Sequence, residues 1–175
     1  FGKRGGEFEM AQLWVNLPAK DKKTPARYQH LAKDNITVVP LADDAGHARI
    51  IAGRFGNTDG AAETFTELNV WDIVLNSGAG ADLDVPAGHN LMLVVLRGEV
   101  RINGGQSVQA SQMATFERES GSVKVEAVGG EAKILLLSGV PIDEPVVGYG
   151  PFVMNTEAEI AEVMNEFRSG KFGAV

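Results

Sequence analysis

The chain has 175 residues, no cysteine and a net charge of −7, and 44% of its residues are hydrophobic. This length and composition predict a single globular domain with a filled core. The acidic balance argues against direct binding to nucleic acid or to an anionic bilayer, and the lack of cysteine excludes thiolate metal sites and thiol nucleophiles. No apolar run approaches the roughly 20 residues of a membrane span, and residues 1–7 contain no apolar segment of the signal-peptide type. The sequence therefore predicts a cytoplasmic protein.

The chain starts with Phe1, in a charged and glycine-rich stretch. Such a start is typical of the interior of a longer sequence, so we expect residues 1–10 to continue from an upstream domain. Residues 11–139 are predicted to form an antiparallel β-barrel or β-sandwich. Residues 140–175 are predicted to form a closing loop and a C-terminal helix of the same domain.

Short β-rich runs bounded by Gly, Asn, Asp and Pro fill the predicted barrel. The predicted strands are Gln12–Asn16, Ile36–Val39, Arg49–Phe55, Val70–Leu75, Asn90–Leu96, Glu99–Ile102, Met113–Phe116, Ser122–Ala127 and Lys133–Leu137. Tight turns are predicted at Arg97–Gly98 and Asn103–Gly104, so we expect consecutive strands to pair as hairpins. Residues 122–127 alternate between apolar and polar and predict one buried face. Residues 90–96 do not alternate and predict burial on both faces, with a buried helix as the alternative.

One helix is predicted near the C-terminus. Thr156 and Glu159 form a capping-box pattern, in which the hydroxyl and the carboxylate each accept a backbone N–H. An apolar stripe follows at helical spacing, formed by Ile160, Val163, Met164 and Phe167. Gly170 is predicted to end the helix. The preceding loop from Glu144–Pro145 is predicted to cover the barrel, with Tyr149 and Phe152 as anchors.

Several segments resemble the pirin family. The last is VPIDEPVVGYGPFVMNTEAEIAEVMNEFRSGKFG at residues 140–173, and the others are Leu13–Lys20, Thr24–Gln29, Val70–Asp72 and Val85–Asn90. The resemblance implies an all-β, cupin-type antiparallel barrel of jelly-roll topology with a C-terminal helix, equivalent to the C-terminal half of a pirin. It also implies that the metal-binding N-terminal half is absent. The apolar stripe of the helix is expected to pack on the outside of its own barrel, and the resemblance implies the alternative that the helix bridges the two halves.

The ligand pattern of a cupin metal site is not present in this sequence. Such a site resembles two histidines at spacing H-x-H, a following glutamate and a later histidine, a donor set that suits iron and similar metals. His89 occupies the first position, but Leu91 stands at the second and Val95 and Leu96 stand where the carboxylate is expected. His89 is therefore interpreted as a turn or surface imidazole, and no metal, cofactor or catalytic residue is predicted in this chain. Iron or another divalent transition metal is expected in the N-terminal half.

The remaining candidates favour structural roles. His30 and His47 lie in polar, loop-like contexts, and Asp82 and Asp84 share one face of a strand that is best interpreted as solvated. The glycine pairs 53/56 and 78/80 are interpreted as turns because no phosphate-loop context surrounds them. Three serines, at positions 111, 120 and 138, have no nucleophile-elbow motif around them.

The sequence thus predicts a metal-free structural and interaction module without catalysis of its own, whose partner is the N-terminal cupin domain. Two alternatives stay open. The parent protein is a metal-dependent oxidoreductase of the quercetin dioxygenase type, with its active site in the absent half, or this half is a regulatory binding module for another protein. A homodimer is also expected if an apolar surface is exposed.

Overall fold

The structure is a computed structural model that describes residues 2–6, 8–118 and 121–172. Its contacts divide the chain into two compact units, which we call the barrel unit and the terminal unit. The barrel unit is Pro25–Ile142, and the terminal unit combines Phe1–Thr24 with Asp143–Val175. The predicted domain boundaries at residues 10 and 139 remain predictions. Across the described ranges, no helix has both the length and the apolar character that a bilayer span requires.

The barrel unit contains twelve strands and two 3₁₀ helices in its described residues. The strands are β1 (Thr37–Pro40), β2 (Gly46–Ala52), β3 (Arg54–Phe55), β4 (Thr58–Asp59), β5 (Leu68–Leu75), β6 (Gly80–Asp84), β7 (Asn90–Arg97), β8 (Glu99–Ile102), β9 (Ser107–Gln109), β10 (Met113–Phe116), β11 (Ser122–Ala127) and β12 (Ala132–Gly139). The 3₁₀ helices are Lys33–Asn35 and Ala42–Asp44. Because residues 90–97 form strand β7, the alternative prediction of a buried helix over residues 90–96 is wrong.

Two antiparallel sheets form the body of this unit. The larger has the order β1-β2-β5-β12-β7-β10 and the smaller the order β6-β11-β8-β9, while β3 and β4 make a separate ribbon. Strands distant in sequence pair within each sheet, as β5 does with β2 and β12. This is the predicted cupin-type jelly roll. The prediction that consecutive strands pair as hairpins is confirmed at β8–β9 and is wrong at β7–β8, because the chain leaves one sheet for the other there.

Glycine makes that sheet crossing possible. Gly98 has φ +77°, and a Cβ at this position would lie 2.4 Å from the carbonyl oxygen of Glu131. A side chain is therefore excluded by both conformation and space. The predicted turn at Asn103–Gly104 has positive φ at both residues, +49° and +69°. It closes the β8–β9 hairpin as the sequence predicts.

The core lies between the two sheets and is apolar. In β11, Val123, Val125 and Ala127 are buried, as the alternation predicts. In β7, Leu91, Leu93 and Val95 are buried, and the residues between them are half-buried. The prediction that β7 is buried on both faces is therefore confirmed for its inner face, whereas its outer face is half-buried. Aliphatic side chains and the ring of Trp71 fill the interior, with Phe55 packed edge-to-face on Trp71 at 4.9 Å between centroids.

The terminal unit contains the 3₁₀ helix Ala19–Asp21, the hairpin strands β13 (Val147–Tyr149) and β14 (Phe152–Met154), and the helix α1 (Glu157–Arg168). The capping box of α1 is confirmed. Thr156 Oγ1 accepts the N–H of Glu159 at 3.2 Å, and Glu159 Oε2 accepts the N–H of Asn155 at 3.1 Å. The helix packs on the β13–β14 hairpin, burying Ile160.

Polar contacts join the two ends of the chain within this unit. Glu144 Oε2 accepts hydrogen bonds from the backbone N–H of Ala19, at 2.7 Å, and from Asn155 Nδ2, at 2.9 Å. Lys22 Nζ donates to the carbonyl oxygen of Val153 at 3.3 Å and, within the N-terminal segment, to Asn16 Oδ1 at 2.7 Å. Lys23 forms a 2.7 Å salt bridge with Glu162 of α1, which raises the pKa of the Lys23 ammonium. These bonds fix the N-terminal segment to the C-terminal elements.

Two predictions for the terminal unit are wrong. Residues 12–16 have irregular backbone instead of a strand, and Trp14 is 73% exposed. Tyr149 is also exposed, so it does not anchor the loop, whereas the ring of Phe152 contacts that of Phe167 at 5.7 Å between centroids. The loop itself folds as the β13–β14 hairpin, which the sequence patterns did not predict because its strands have three residues each.

Candidate functional site

A polar cleft of about 730 Å³ lies at one rim of the barrel unit. It is bordered by the β3–β4 ribbon, the start of β5, the end of β6 and the turn that leads into β7. The residues that give it chemical character are Arg54, Asp59, Glu67, Asn69, Asp84 and His89. A cleft of this volume accommodates a small organic molecule.

His89 lines this cleft and is only 7% exposed. Within the described ranges, its Nδ1 atom is buried and has no hydrogen-bond partner. The turn before it is held by backbone bonds, in which Gly88 donates to the carbonyl of Arg118 at 3.0 Å and Val85 pairs with Gly121. His89 directly follows a turn, with its N–H 3.4 Å from the carbonyl oxygen of Pro86, so the interpretation as a turn imidazole is confirmed and the interpretation as a surface imidazole is wrong. The Pro86–Gly88 bend places it inside, next to β7.

Asn69 attaches the β3–β4 ribbon to the large sheet. Its Nδ2 donates to Ser138 Oγ at 2.9 Å, and its Oδ1 accepts the N–H of Arg54 at 2.9 Å. Gly53, with φ +78°, makes this approach possible, since a Cβ there would lie 2.1 Å from Asn69 Oδ1. No sequence motif marks Asn69 or Arg54, because only the β5–β12 register brings Asn69 opposite Ser138.

The positions that would complete a metal site are aliphatic and packed. Leu91 and Val95 follow His89 on the inner face of β7 and belong to the hydrophobic core, with Val95 fully buried. Leu96 is half-buried on the opposite face. In the part of the chain that the structure describes, no three His, Cys, Asp or Glu side chains form a group that could hold a metal ion. The residues present do not fit a cupin metal.

The structure separates the other candidate residues. His30 is exposed, and His47 lies on β2 instead of in a loop. Asp82 and Asp84 are both exposed on β6, on either side of the buried Leu83, as a solvated face requires. Of these two carboxylates, Asp84 lines the cleft.

The glycine pairs and serines fall mostly into turns and the core. Gly53, Gly56 and Gly78 have positive φ, consistent with turns, whereas Gly80 begins β6. Ser111 sits in a turn with φ +67°, and Ser138 is buried against Asn69. Ser120 lies outside the described residues.

The terminal unit exposes a run of large apolar side chains. Phe8 and Met10 are each 69% exposed, Trp14 is 73% exposed, and Leu13 and Val15 are also exposed. Trp14 and Val15 border a shallow groove of about 290 Å³ that also involves Lys22, Pro151 and Val153. We call residues 8–15 the apolar arm. Exposed apolar runs of this length are typical of contact surfaces.

Comparisons with known proteins identify relatives of this chain. A profile described as the pirin C-terminal cupin domain matches residues 70–173. A Pseudomonas aeruginosa protein, named as a candidate quercetin 2,3-dioxygenase, is 45% identical over 98% of this chain and 59% of its own length. Pirin-like protein 2 of Arabidopsis thaliana is 31% identical over 93% of this chain and 52% of its own length.

A solved structure agrees with the fold. The crystal structure of a quercetin 2,3-dioxygenase from Acinetobacter baumannii superposes with a TM-score of 0.87 at 43% identity, covering 92% of this chain and 56% of that one. The chain thus spans about three fifths of the length of the relatives it matches. On the profile match and these relatives, the chain belongs to the pirin family and contains its C-terminal cupin domain.

Proposed function

We propose that this chain is the structural, metal-free half of a pirin-type protein, and that it packs against and shapes a metal-bearing N-terminal cupin domain. The observation that carries the proposal is the inner face of β7, where Leu91 and Val95 stand at ligand positions and pack in the core. Aliphatic carbon offers no lone pair to a metal. His89 would be a single imidazole donor, and transition-metal sites in proteins use several converging donors.

The apolar arm supports the interaction half of this proposal. Its five large apolar side chains are exposed in the terminal unit, and water contact with them is unfavourable by about 25 cal/mol per Å². Relatives contain a further two fifths of chain beyond the part matched here. A domain in that part would cover the arm, and a second copy of this chain is the other occupant that we expect.

Elemental analysis tests the metal-free assignment. The purified 175-residue chain, expressed in medium with added iron, manganese, nickel and copper, should contain no transition metal in stoichiometric amount. One tightly bound ion per chain would contradict the proposal. The Acinetobacter baumannii protein, purified in parallel from the same medium, shows whether the supply of metal was sufficient.

A second function is favoured by the relatives, one of which is a quercetin 2,3-dioxygenase. In this alternative the parent protein is a metal-dependent oxidoreductase, and its active site lies in a part of the protein that this chain does not contain. Oxygen uptake with quercetin should then be absent for this chain and present for a relative that contains both halves. Oxygen uptake by this chain alone would contradict the assignment of the active site to the other half.

A regulatory role toward another protein stays a third alternative, with the exposed apolar arm as its contact surface.

A further inference from the structure

Two sheet edges without a partner strand border one cleft of the barrel unit. β10 ends the larger sheet and β9 ends the smaller one, and across the described residues no strand pairs with the outer side of either. Both line a cleft of about 650 Å³, which we call the edge cleft. Met113 and Thr115 direct their backbone N–H and C=O groups to the free side of β10, because the carbonyl of Gln112 accepts the N–H of Val95 at 3.0 Å and successive strand residues alternate in direction.

These two edges differ from the opposite edges of the same sheets. Edge strands of native proteins usually carry charged residues or proline, which prevent pairing with another chain. β1 contains Pro40, and β6 contains Asp82 and Asp84. β9 (SVQ) and β10 (MATF) contain neither a charged residue nor a proline. The edge cleft therefore exposes backbone groups that no side chain protects against the addition of a strand.

The lining of the edge cleft is uncharged. Its polar side chains are amides and hydroxyls, and its apolar part includes Ala114 and Phe116, which pack against the core. Extended peptides bind sheet edges through main-chain hydrogen bonds, with alternate side chains in pockets. A charged side chain would lose its hydration in this cleft without gaining an ionic partner. The ligand that fits is therefore an uncharged segment in an extended conformation.

The apolar arm contains such a segment. Residues 10–15 (MAQLWV) include no charged residue and no proline. Their backbone is irregular and forms no backbone hydrogen bond with any other residue that the structure describes, although Leu, Trp and Val favour strands. The same chain thus exposes a strand-like sequence that lacks a sheet and a sheet edge that lacks a strand.

We infer that the apolar arm of one copy adds as a strand to β10 of a second copy. Leu13 and Val15 share one face of the added strand and enter the edge cleft beside Ala114. Trp14 lies on the opposite face, next to Met113, which is 56% exposed. Each copy has one arm and one free edge, so two reciprocal contacts close a symmetric dimer.

Charge and function are both compatible with this dimer. The arm segment and the cleft lining are uncharged, so the contact brings no like charges together although each copy has a net charge of −7. The inference develops the second occupant named above for the apolar arm. It does not depend on the metal-free assignment, which elemental analysis tests separately.

Sedimentation velocity over a concentration series, combined with tryptophan fluorescence, tests this inference on the 175-residue chain. We expect a dimer whose formation shifts the emission to the blue, because Trp14 becomes buried whereas Trp71 is already fully buried. Hydrogen exchange at the amides of Met113 and Thr115 should slow in the dimer, and exchange at Val38 on the opposite edge should not change. A chain that stays monomeric, or a dimer in which Trp14 stays exposed, would overturn the inference.

Two lysine substitutions on opposite edges of the larger sheet locate the contact. Thr115→Lys places a charge on the free edge of β10 and should weaken dimerisation about tenfold, because edge lysines oppose strand pairing. Val38→Lys is the matched control and should leave dimerisation unchanged, since β1 is the other edge of this sheet and Val38 is 53% exposed. Equal effects of both changes, or no effect of either, would overturn the assignment to β10. Trp14→Ser should also weaken dimerisation, and undiminished dimerisation of that variant would exclude the arm.

Discussion

The barrel unit and the terminal unit are stabilised by different kinds of contact. The barrel unit has a continuous apolar core in which eleven large side chains, Trp71 and Leu93 among them, are fully buried. The terminal unit buries only Pro18, Met154 and Ile160 among its described residues. It relies on polar contacts such as those of Glu144 and Lys22. Its apolar arm remains exposed.

This difference indicates where function can reside in the chain. The interior of the barrel unit is filled with apolar side chains, which offer no donor atom to a metal. We therefore expect recognition at the open clefts of the barrel unit, which include the rim cleft and the edge cleft of about 650 Å³ between β8–β9 and β10, and at the exposed surface of the terminal unit.

The largest effect is expected from Val95→Glu in the barrel core. This change places a carboxylate at one of the two positions where a cupin ligand is expected, but Val95 is fully buried among aliphatic side chains. Burial of an unpaired charge should lower the free energy of unfolding by about 4 kcal/mol or more. Leu96→Glu, at the half-buried neighbouring position, should lower it by about 2 kcal/mol at most. Urea unfolding measures both values, and equal losses would show that the core is not tightly packed at β7.

Gly98→Ala should have the next largest effect. The new Cβ would lie 2.4 Å from the Glu131 carbonyl oxygen at φ +77°, so both strain and a backbone clash arise, and we expect a loss of about 2–3 kcal/mol. Gly104→Ala is the matched control, because its φ is +69° and its Cβ would meet no atom within 4 Å. That variant should lose about 1 kcal/mol. A smaller loss for Gly98→Ala than for Gly104→Ala would contradict the described crossing between the sheets.

In the terminal unit, Thr156→Ala should have a moderate effect. It removes the hydroxyl that accepts the Glu159 N–H at the start of α1, and loss of such a cap costs about 1 kcal/mol. Thr156→Ser keeps the hydroxyl and should restore most of the stability. Thermal unfolding followed by far-UV circular dichroism measures the change. A Ser variant as unstable as the Ala variant would argue against the capping contact.

The smallest expected effect is a pH dependence of the same cap. The hydrogen bond from Thr156 lowers the pKa of Glu159 below its ordinary value of 4.5. Because the folded-state pKa is the lower one, the stabilisation is fully present above the unfolded-state pKa and is lost as the pH falls through the folded-state pKa. The stability difference between the wild type and Thr156→Ala should therefore narrow below pH 4.5. Urea unfolding across this range measures it, and a difference that widens on acidification would have the wrong sign.

The sequence predicts the barrel interior better than its rim. Residues 122–127 form β11 as the alternation indicates, because hydrophobic periodicity is a local property. The sheet exchange at Gly98 could not be predicted, since it depends on pairing between strands distant in sequence. The irregular backbone of residues 12–16 could not be predicted either, because apolar composition favours a strand without revealing whether a sheet partner exists. The burial of His89 could not be predicted, because it depends on how the preceding turn and β7 are placed together in the fold.

Isothermal titration of metal ions into the purified chain tests the central claim most directly. Fe²⁺, Mn²⁺, Ni²⁺ and Cu²⁺ should each give only weak, non-stoichiometric heats, because Leu91 and Val95 occupy positions where donors would have to converge with His89. The His89→Ala variant should give the same weak heats. A one-to-one isotherm for the wild type that disappears in His89→Ala would show that this half of a pirin holds its own metal, and would contradict the account.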